Sequence, residues 1–217
     1  MKRFLPAFII AIIGMTIAYF MIDKPKLLKV FNPIDINPEL VDESLRKIDK
    51  FHRVGSFSLT DQNGNEVTEK NFEDKIYVTD FFFVTCPTIC PKMTKQMHRI
   101  HNEFIDNKTL SFLSHTVMPE SDSVPILNEY AKKLGVISDK WKFVTGDKKQ
   151  IYNLARKTYF AAITEGNGGI NDFVHTENFV LIDKEKRLRG FYDGTSKKDV
   201  NRLISDIYAL LEEYKEN

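Results

Sequence analysis

The chain has almost no net charge. In 217 residues, 31 lysines and arginines stand against 30 aspartates and glutamates, a formal +1. That balance leaves no electrostatic basis for nucleic acid as the main partner, because such binding draws on a surplus of cations facing phosphates. Cysteine is equally scarce. Two cysteines cannot build a disulfide-stapled scaffold, and both fall in one short stretch, which points to a chemical pair. No proline follows Pro125. The turn before a late strand therefore lacks the cis-proline, a costly and specific feature, that general thiol-disulfide oxidoreductases set opposite Cys-x-x-Cys. No internal repeat or low-complexity tract occurs. What remains, 42% apolar and 28% charged residues, is ordinary for a globular domain with appendages.

Taken in order, the chain opens with Lys2 and Arg3, followed by an uncharged run over residues 5–22. Eighteen such residues are near the lower length for a spanning helix. The bulky residues around Ala18 do not suit a signal-peptidase site. Residues 1–22 are thus expected to form an uncleaved transmembrane anchor, with its basic end in the cytoplasm and the rest of the chain outside. Residues 23–50, broken by Pro25, Pro33 and Pro38, read as a tether, and residues 51–217 as the folded domain.

Within that domain a short hairpin spans residues 56–68, turning at Asp61-Gln62-Asn63-Gly64-Asn65. Residues 75–84 are rich in β-branched and aromatic residues, and their near-continuous apolar end, Phe81 to Val84, fits a central strand buried on both faces. A helix follows, with Ile89, Met93, Met97, Ile100 and Phe104 on one stripe. Strands are expected at 110–117 and 141–144, and helices at 124–134, closed by Gly135, and at 148–158. Two strands at 178–183 and 188–192 and a terminal helix from about Ser196 complete the chain. This order, with a cysteine motif between a strand and a helix, suggests a thioredoxin-like α/β domain with an N-terminal β-hairpin.

Cys86 and Cys90, in Cys86-Pro87-Thr88-Ile89-Cys90-Pro91, are four apart at a helix start. That spacing places both thiols on one helix face, and the helix N-terminus favours thiolates. Two soft sulfurs suit Cu(I) or zinc and need a third ligand from elsewhere. His98 and His101 share the helix, but His101 lies roughly 16 Å along the axis from Cys90, and both are expected at the surface. Met93 and Met97 continue the cysteine face and read as core packing. His175, between the glycine-bearing loop 165–169 and the strand at 178, would enter beside the cysteine motif in a thioredoxin-like domain. It is the candidate third ligand.

The residues resemble the SCO/SenC family of membrane-anchored copper-binding proteins. The resemblance covers about residues 51–215. It rests on Phe83-Val84-Thr85-Cys86-Pro87-Thr88-Ile89-Cys90-Pro91, on His175 with the strand Phe179-Val180-Leu181-Ile182-Asp183, and on Arg189-Gly190-Phe191-Tyr192-Asp193-Gly194. It implies copper bound by Cys86, Cys90 and His175, as Cu(I) and, with a further donor, Cu(II). It also implies a role in assembling the dinuclear copper site of cytochrome c oxidase subunit II, with an upstream copper donor. The location it implies is the inner membrane, single-pass, with the domain on the periplasmic side. Two departures stand out: Val174 and Met118 occupy positions often acidic in the family.

Three rival readings share the cysteines. A dedicated thiol-disulfide reductase would keep the partner's copper-site cysteines reduced. A sensor would use the same residues to switch a surface, although no signalling domain is attached. A peroxidase reading needs Thr or Ser three residues before its cysteine and Pro seven before. Phe83 and Thr79 fill those positions for Cys86, and Pro87 and Phe83 for Cys90, so neither fits.

Overall fold

The structure is a computed structural model and describes residues 12, 14–15, 27–41, 43–136, 139–162, 166, 169 and 172–215. A seven-stranded sheet in the order β2-β1-β5-β4-β3-β6-β7 forms its centre. The strands are β1 (Ser58–Asp61), β2 (Glu66–Thr68), β3 (Ile76–Phe82), β4 (Leu110–Thr116), β5 (Trp141–Thr145), β6 (Asn178–Ile182) and β7 (Leu188–Asp193). β3, β4 and β5 run parallel, while β6 and β7 continue antiparallel from β3, and β1 and β2 from β5. Parallel neighbours need crossovers, and these are α1 (Ile89–Glu103) and α2 (Val124–Leu134). α3 (Lys148–Asn153) precedes the return to β6, and α4 (Lys197–Glu213) closes the chain.

The sheet is covered on both faces, which explains why β3 and β4 are buried along their whole length. Ile76, Val78 and Phe82 of β3 face one cluster, with Met93, Met97 and Ile100 of α1 and Leu203, Ile207 and Leu210 of α4. Tyr77 and Phe81 face the other, with Ile151 and Tyr152 of α3. The expectation that the two methionines are core is met: neither side chain reaches solvent. α2 ends as its sequence suggests, with Gly135 at φ 65°, a left-handed value that glycine adopts without strain.

Three expectations need revision. The helix expected over 148–158 is α-helical only to Asn153. Leu154–Thr158 is a widened π-turn, with the Tyr159 N–H donating to the Leu154 carbonyl at 2.8 Å. His101, expected at the surface, is buried between the rings of Phe112 and Trp141. Its Nδ1 is tied to Asn102 Oδ1 at 3.2 Å. The described part of the segment read as a tether packs on the domain. Ile36 and Val41 are buried, Phe31 bridges to Leu188, and Arg189 donates to the Leu28 carbonyl at 2.8 Å. The apolar run at 5–22 lies, apart from Ile12, Gly14 and Met15, outside the described residues. Among the described residues no helix is long and apolar enough to cross a membrane.

Candidate metal centre

β3 delivers the chain to the carboxyl edge of the parallel strands, where α/β sheets place their ligands. The loop that follows is held from several sides. The Val84 N–H donates to Asp122 Oδ2 at 3.1 Å, and the Thr116 hydroxyl donates to the same oxygen at 2.5 Å. The Val117 N–H donates to the Phe82 carbonyl, and the Cys86 N–H to that of Phe83. Asp122, buried between β4 and α2, thus ties the start of the cysteine loop to the next crossover. Sequence reasoning passed over it. The available signal was an acid between a strand end and the serine that starts a helix.

α1 begins at Ile89, and its N-cap Thr88 makes no side-chain cap bond. Cys86 supplies the acceptor instead: its Sγ receives the Cys90 N–H at 3.4 Å, with Thr88 Oγ1 at 4.0 Å. Both cysteines are buried and unbridged. Their thiols are driven apart. Burial pushes Cys86 up, but the backbone N–H groups of Thr88 and Cys90 on its sulfur outweigh that and hold it below the usual thiol range. For Cys90 burial dominates. The neighbouring Cys86 and Asp80 add to it, and the thiol is pushed up to about 12. Asp80 is itself buried on β3, its Oδ1 accepting from Ser114 Oγ at 2.5 Å, and burial raises its carboxyl to about 7.

A pH-dependent asymmetry follows. A thiol reacts as its thiolate, which is populated above its pKa. In reduced, metal-free protein at neutral pH, iodoacetamide should label Cys86 faster than Cys90, because far more of Cys86 is thiolate. Peptide mapping by mass spectrometry measures this, and first labelling at Cys90 contradicts it.

The segment carrying His175 comes alongside. Phe173 sets its ring edge-on to Phe83, centroids 5.6 Å apart, so the approach to β6 touches the start of the cysteine loop. The flanks of His175 are fixed. Arg156, on the π-turn, grips Asp172 with two bonds of 2.6 and 2.7 Å. The Tyr152 hydroxyl, which donates to the Val117 carbonyl at 2.8 Å, lies 3.3 Å from the Asp172 carbonyl. Val174 is buried, and Thr176 donates to the Ala161 carbonyl. Between these inward residues His175 faces solvent, and its imidazole has no hydrogen-bond partner among the described residues. Cys86 and Cys90 are thus brought together, with the His175 segment beside them. Among the described residues, however, no three His, Cys, Asp or Glu side chains lie close enough to hold a metal ion.

The other histidines are accounted for. His52 binds the Thr158 carbonyl at 2.8 Å. His115 is buried against Phe81, and burial lowers it to about 3. His98 lines a cleft together with both cysteines. The donor chemistry, two adjacent sulfurs and one uncommitted imidazole on an anchored segment, fits a soft metal.

Known proteins share this fold. A family model described as SCO1/SenC matches residues 46–212. The SCO1 protein homolog of Bacillus subtilis is 28% identical over 158 residues, covering 72% of this chain and 81% of that protein. Among solved structures, BsSco is described as a member of the Sco family of cytochrome c oxidase assembly proteins with a disulfide switch. It matches with a TM-score of 0.62 and 26% identity over 73% of this chain and 93% of its own. Arabidopsis thaliana ScoI, solved with copper bound, matches with a TM-score of 0.58 and 26% identity over 74% and 99%. The thioredoxin-like α/β fold expected from the strand–cysteine–helix order is that of these structures. The match covers well over half of the sequence, and the chain belongs to the SCO1/SenC family.

Proposed function

We propose that this chain is a copper carrier for cytochrome c oxidase assembly, binding copper through Cys86, Cys90 and His175 and passing it to the dinuclear copper site of subunit II. The observation that carries this reading is the contact between Phe173 and Phe83 beside two unbridged thiols. It brings the segment that carries the exposed imidazole of His175 against the start of the cysteine loop. In this reading Cys86 enters as the more acidic thiol, and copper displaces the proton of Cys90, which burial otherwise retains. The copper-bound relative supports the cargo. Cu(I) suits two thiolates and an imidazole, whereas Cu(II) would take a further donor. The run at 5–22 supports a single-pass anchor in the inner membrane, with the domain on the periplasmic side. An upstream donor would load it.

The divergence of the two thiols favours a second reading, a dedicated reductase of the partner's cysteines. The Cys86 thiolate would attack a partner disulfide and form a mixed disulfide, releasing one partner thiolate. Cys90, losing its proton, would then attack Cys86 and release the second, leaving Cys86–Cys90 oxidised and the partner reduced. One pair of reactions separates the two. Cu(I)-loaded protein is mixed with the reduced copper domain of subunit II, and metal-free reduced protein with the oxidised domain. Copper transfer faster than disulfide reduction is the expected result. Efficient reduction without transfer overturns the carrier reading in favour of the reductase.

A further inference from the structure

The thiols also open sideways. A cleft of about 450 Å³ lies between α1 and α2, with Cys86 and Cys90 in its wall. Its floor is apolar and preformed. Val84 and Leu134 line it, and the Tyr130 ring is stacked on Phe82 at 5.5 Å with its hydroxyl 2.8 Å from Thr94 Oγ1. Its rim is basic, formed by Lys95 and His98 from α1 and Lys133 from α2, and no carboxylate lines it. A second groove, about 710 Å³, shares Lys95 and His98 and adds Arg99 and Lys197. Its one carboxylate, Glu103, already accepts from the Tyr208 hydroxyl at 2.7 Å.

Arg156, Arg187, Arg189 and Arg202 each pair with a carboxylate. Lys95, Arg99, Lys133 and Lys197 make no ion pair among the described residues. Arg99 is braced by the neutral Gln96 and Asn201 at 3.1 and 2.7 Å, and its Nη2 has no partner among the described residues. Lys95, His98 and Lys133 on the cleft, with Arg99 and Lys197 on the groove beside it, thus form one track that starts at the thiols, and Glu103 is the one carboxylate among its lining residues. Such a field steers association with acidic surfaces, and the apolar floor accepts a side chain.

We infer that this track is a docking surface for an acidic polypeptide segment carrying one apolar side chain, presented by the protein that exchanges copper or electrons with Cys86 and Cys90. The apolar side chain fills the floor over Tyr130, and flanking carboxylates reach Lys95 and Lys133. This rests on the proposed function for the partner's purpose. It does not depend on metal for binding, so the two can fail separately.

The test uses the metal-free, reduced protein and a synthetic acidic peptide, Asp-Glu-Leu-Glu-Asp with blocked ends, followed by amide-shift mapping. Shifts are expected at Thr94, Lys95, Tyr130, Lys133 and Leu134. Lys95→Glu combined with Lys133→Glu should weaken binding by about 10-fold or more. Both lysines are exposed, so the variant should fold, and its copper stoichiometry should equal that of the wild type. A basic counterpart peptide should not bind. Unchanged affinity in the charge-reversed protein, shifts confined elsewhere, or the same shifts from inorganic phosphate alone would overturn the inference. Peptide binding in a protein that takes up no copper would leave the docking surface standing and remove the copper reading. Copper uptake without peptide binding would do the reverse.

Discussion

Cys90→Ser and Cys86→Ser are each expected to lower Cu(I) affinity by more than about 100-fold, since loss of a mere outer-shell partner already costs 10–100-fold. The chemistry is one of softness and charge. A thiolate is a soft anion that matches Cu(I), and a serine hydroxyl is hard and stays protonated. The two variants should differ in a second respect. Cys86 Sγ also receives the Cys90 N–H at the start of α1, where Thr88 makes no side-chain cap bond. Serine can replace that acceptor with oxygen, so Cys86→Ser should keep the helix start while losing the metal. Met93→Leu and Met97→Leu are the controls. Both methionines are fully buried in the core between α1 and the sheet, and neither change should move copper affinity beyond a fewfold. Competition titration against a Cu(I) chelator measures all four. Near-wild-type affinity in either serine variant contradicts the role given to that thiol.

Arg189→Met is expected to destabilise the fold by about 3–5 kcal/mol, the cost of leaving a buried charge without its partner. Arg189 is almost completely buried on β7, and its guanidinium joins Asp183 at 2.9 Å and Glu213 of α4 at 2.6 Å. The same group donates to the Leu28 carbonyl. One side chain therefore ties strand, terminal helix and N-terminal segment together. Asp183, fully buried, would retain only Arg187, at 2.7 Å. Gly190 beside it has its own constraint, because the Tyr192 ring and hydroxyl lie where a Cβ would go. Lys215→Met, at an exposed pair with Glu212, should cost less than about 1 kcal/mol. Urea unfolding midpoints at equal slope compare the two. A loss below about 1 kcal/mol in Arg189→Met would show that the buried network does not hold these elements.

The parts of this molecule legible in its sequence are those where one local pattern decides the outcome. Residues 76–82 are apolar enough to require cover on both faces, and the Ile89–Phe104 stripe permits one helix orientation. Gly135 supplies the left-handed stop of α2. Cys86 and Cys90 are close as their spacing suggests, although Cys86 precedes the helix and reaches Cys90 from the loop, not from a shared helix face. What was not legible depends on partners distant in sequence. His101 follows Met97 by four residues on the cysteine face, but a histidine there reads as a surface residue, and it is the packing of Phe112 and Trp141 that buries it. The prolines at 33 and 38 disrupt regular structure without preventing residues 27–41 from lying against β7. The π-turn at Leu154–Thr158 has no periodic signature, yet it carries the Arg156 that fixes Asp172. Asp80 could have been noticed as a lone acid within a strand buried on both faces. Its effect on Cys90 emerges only when α1 folds over it. Val174, where the family often has an acid, is buried, and the nearby carboxylate of Asp172 is spent on Arg156. No acidic side chain at these two positions is therefore left to tune His175.

The central claim is that His175 joins the two sulfurs around copper. Copper K-edge X-ray absorption of the Cu(I)-loaded protein, wild type beside His175→Ala, tests it directly. The account predicts two sulfur donors and one imidazole nitrogen per copper in the wild type, with the outer-shell imidazole scattering lost and both sulfurs retained in His175→Ala. The same ligand shell in both proteins would contradict it.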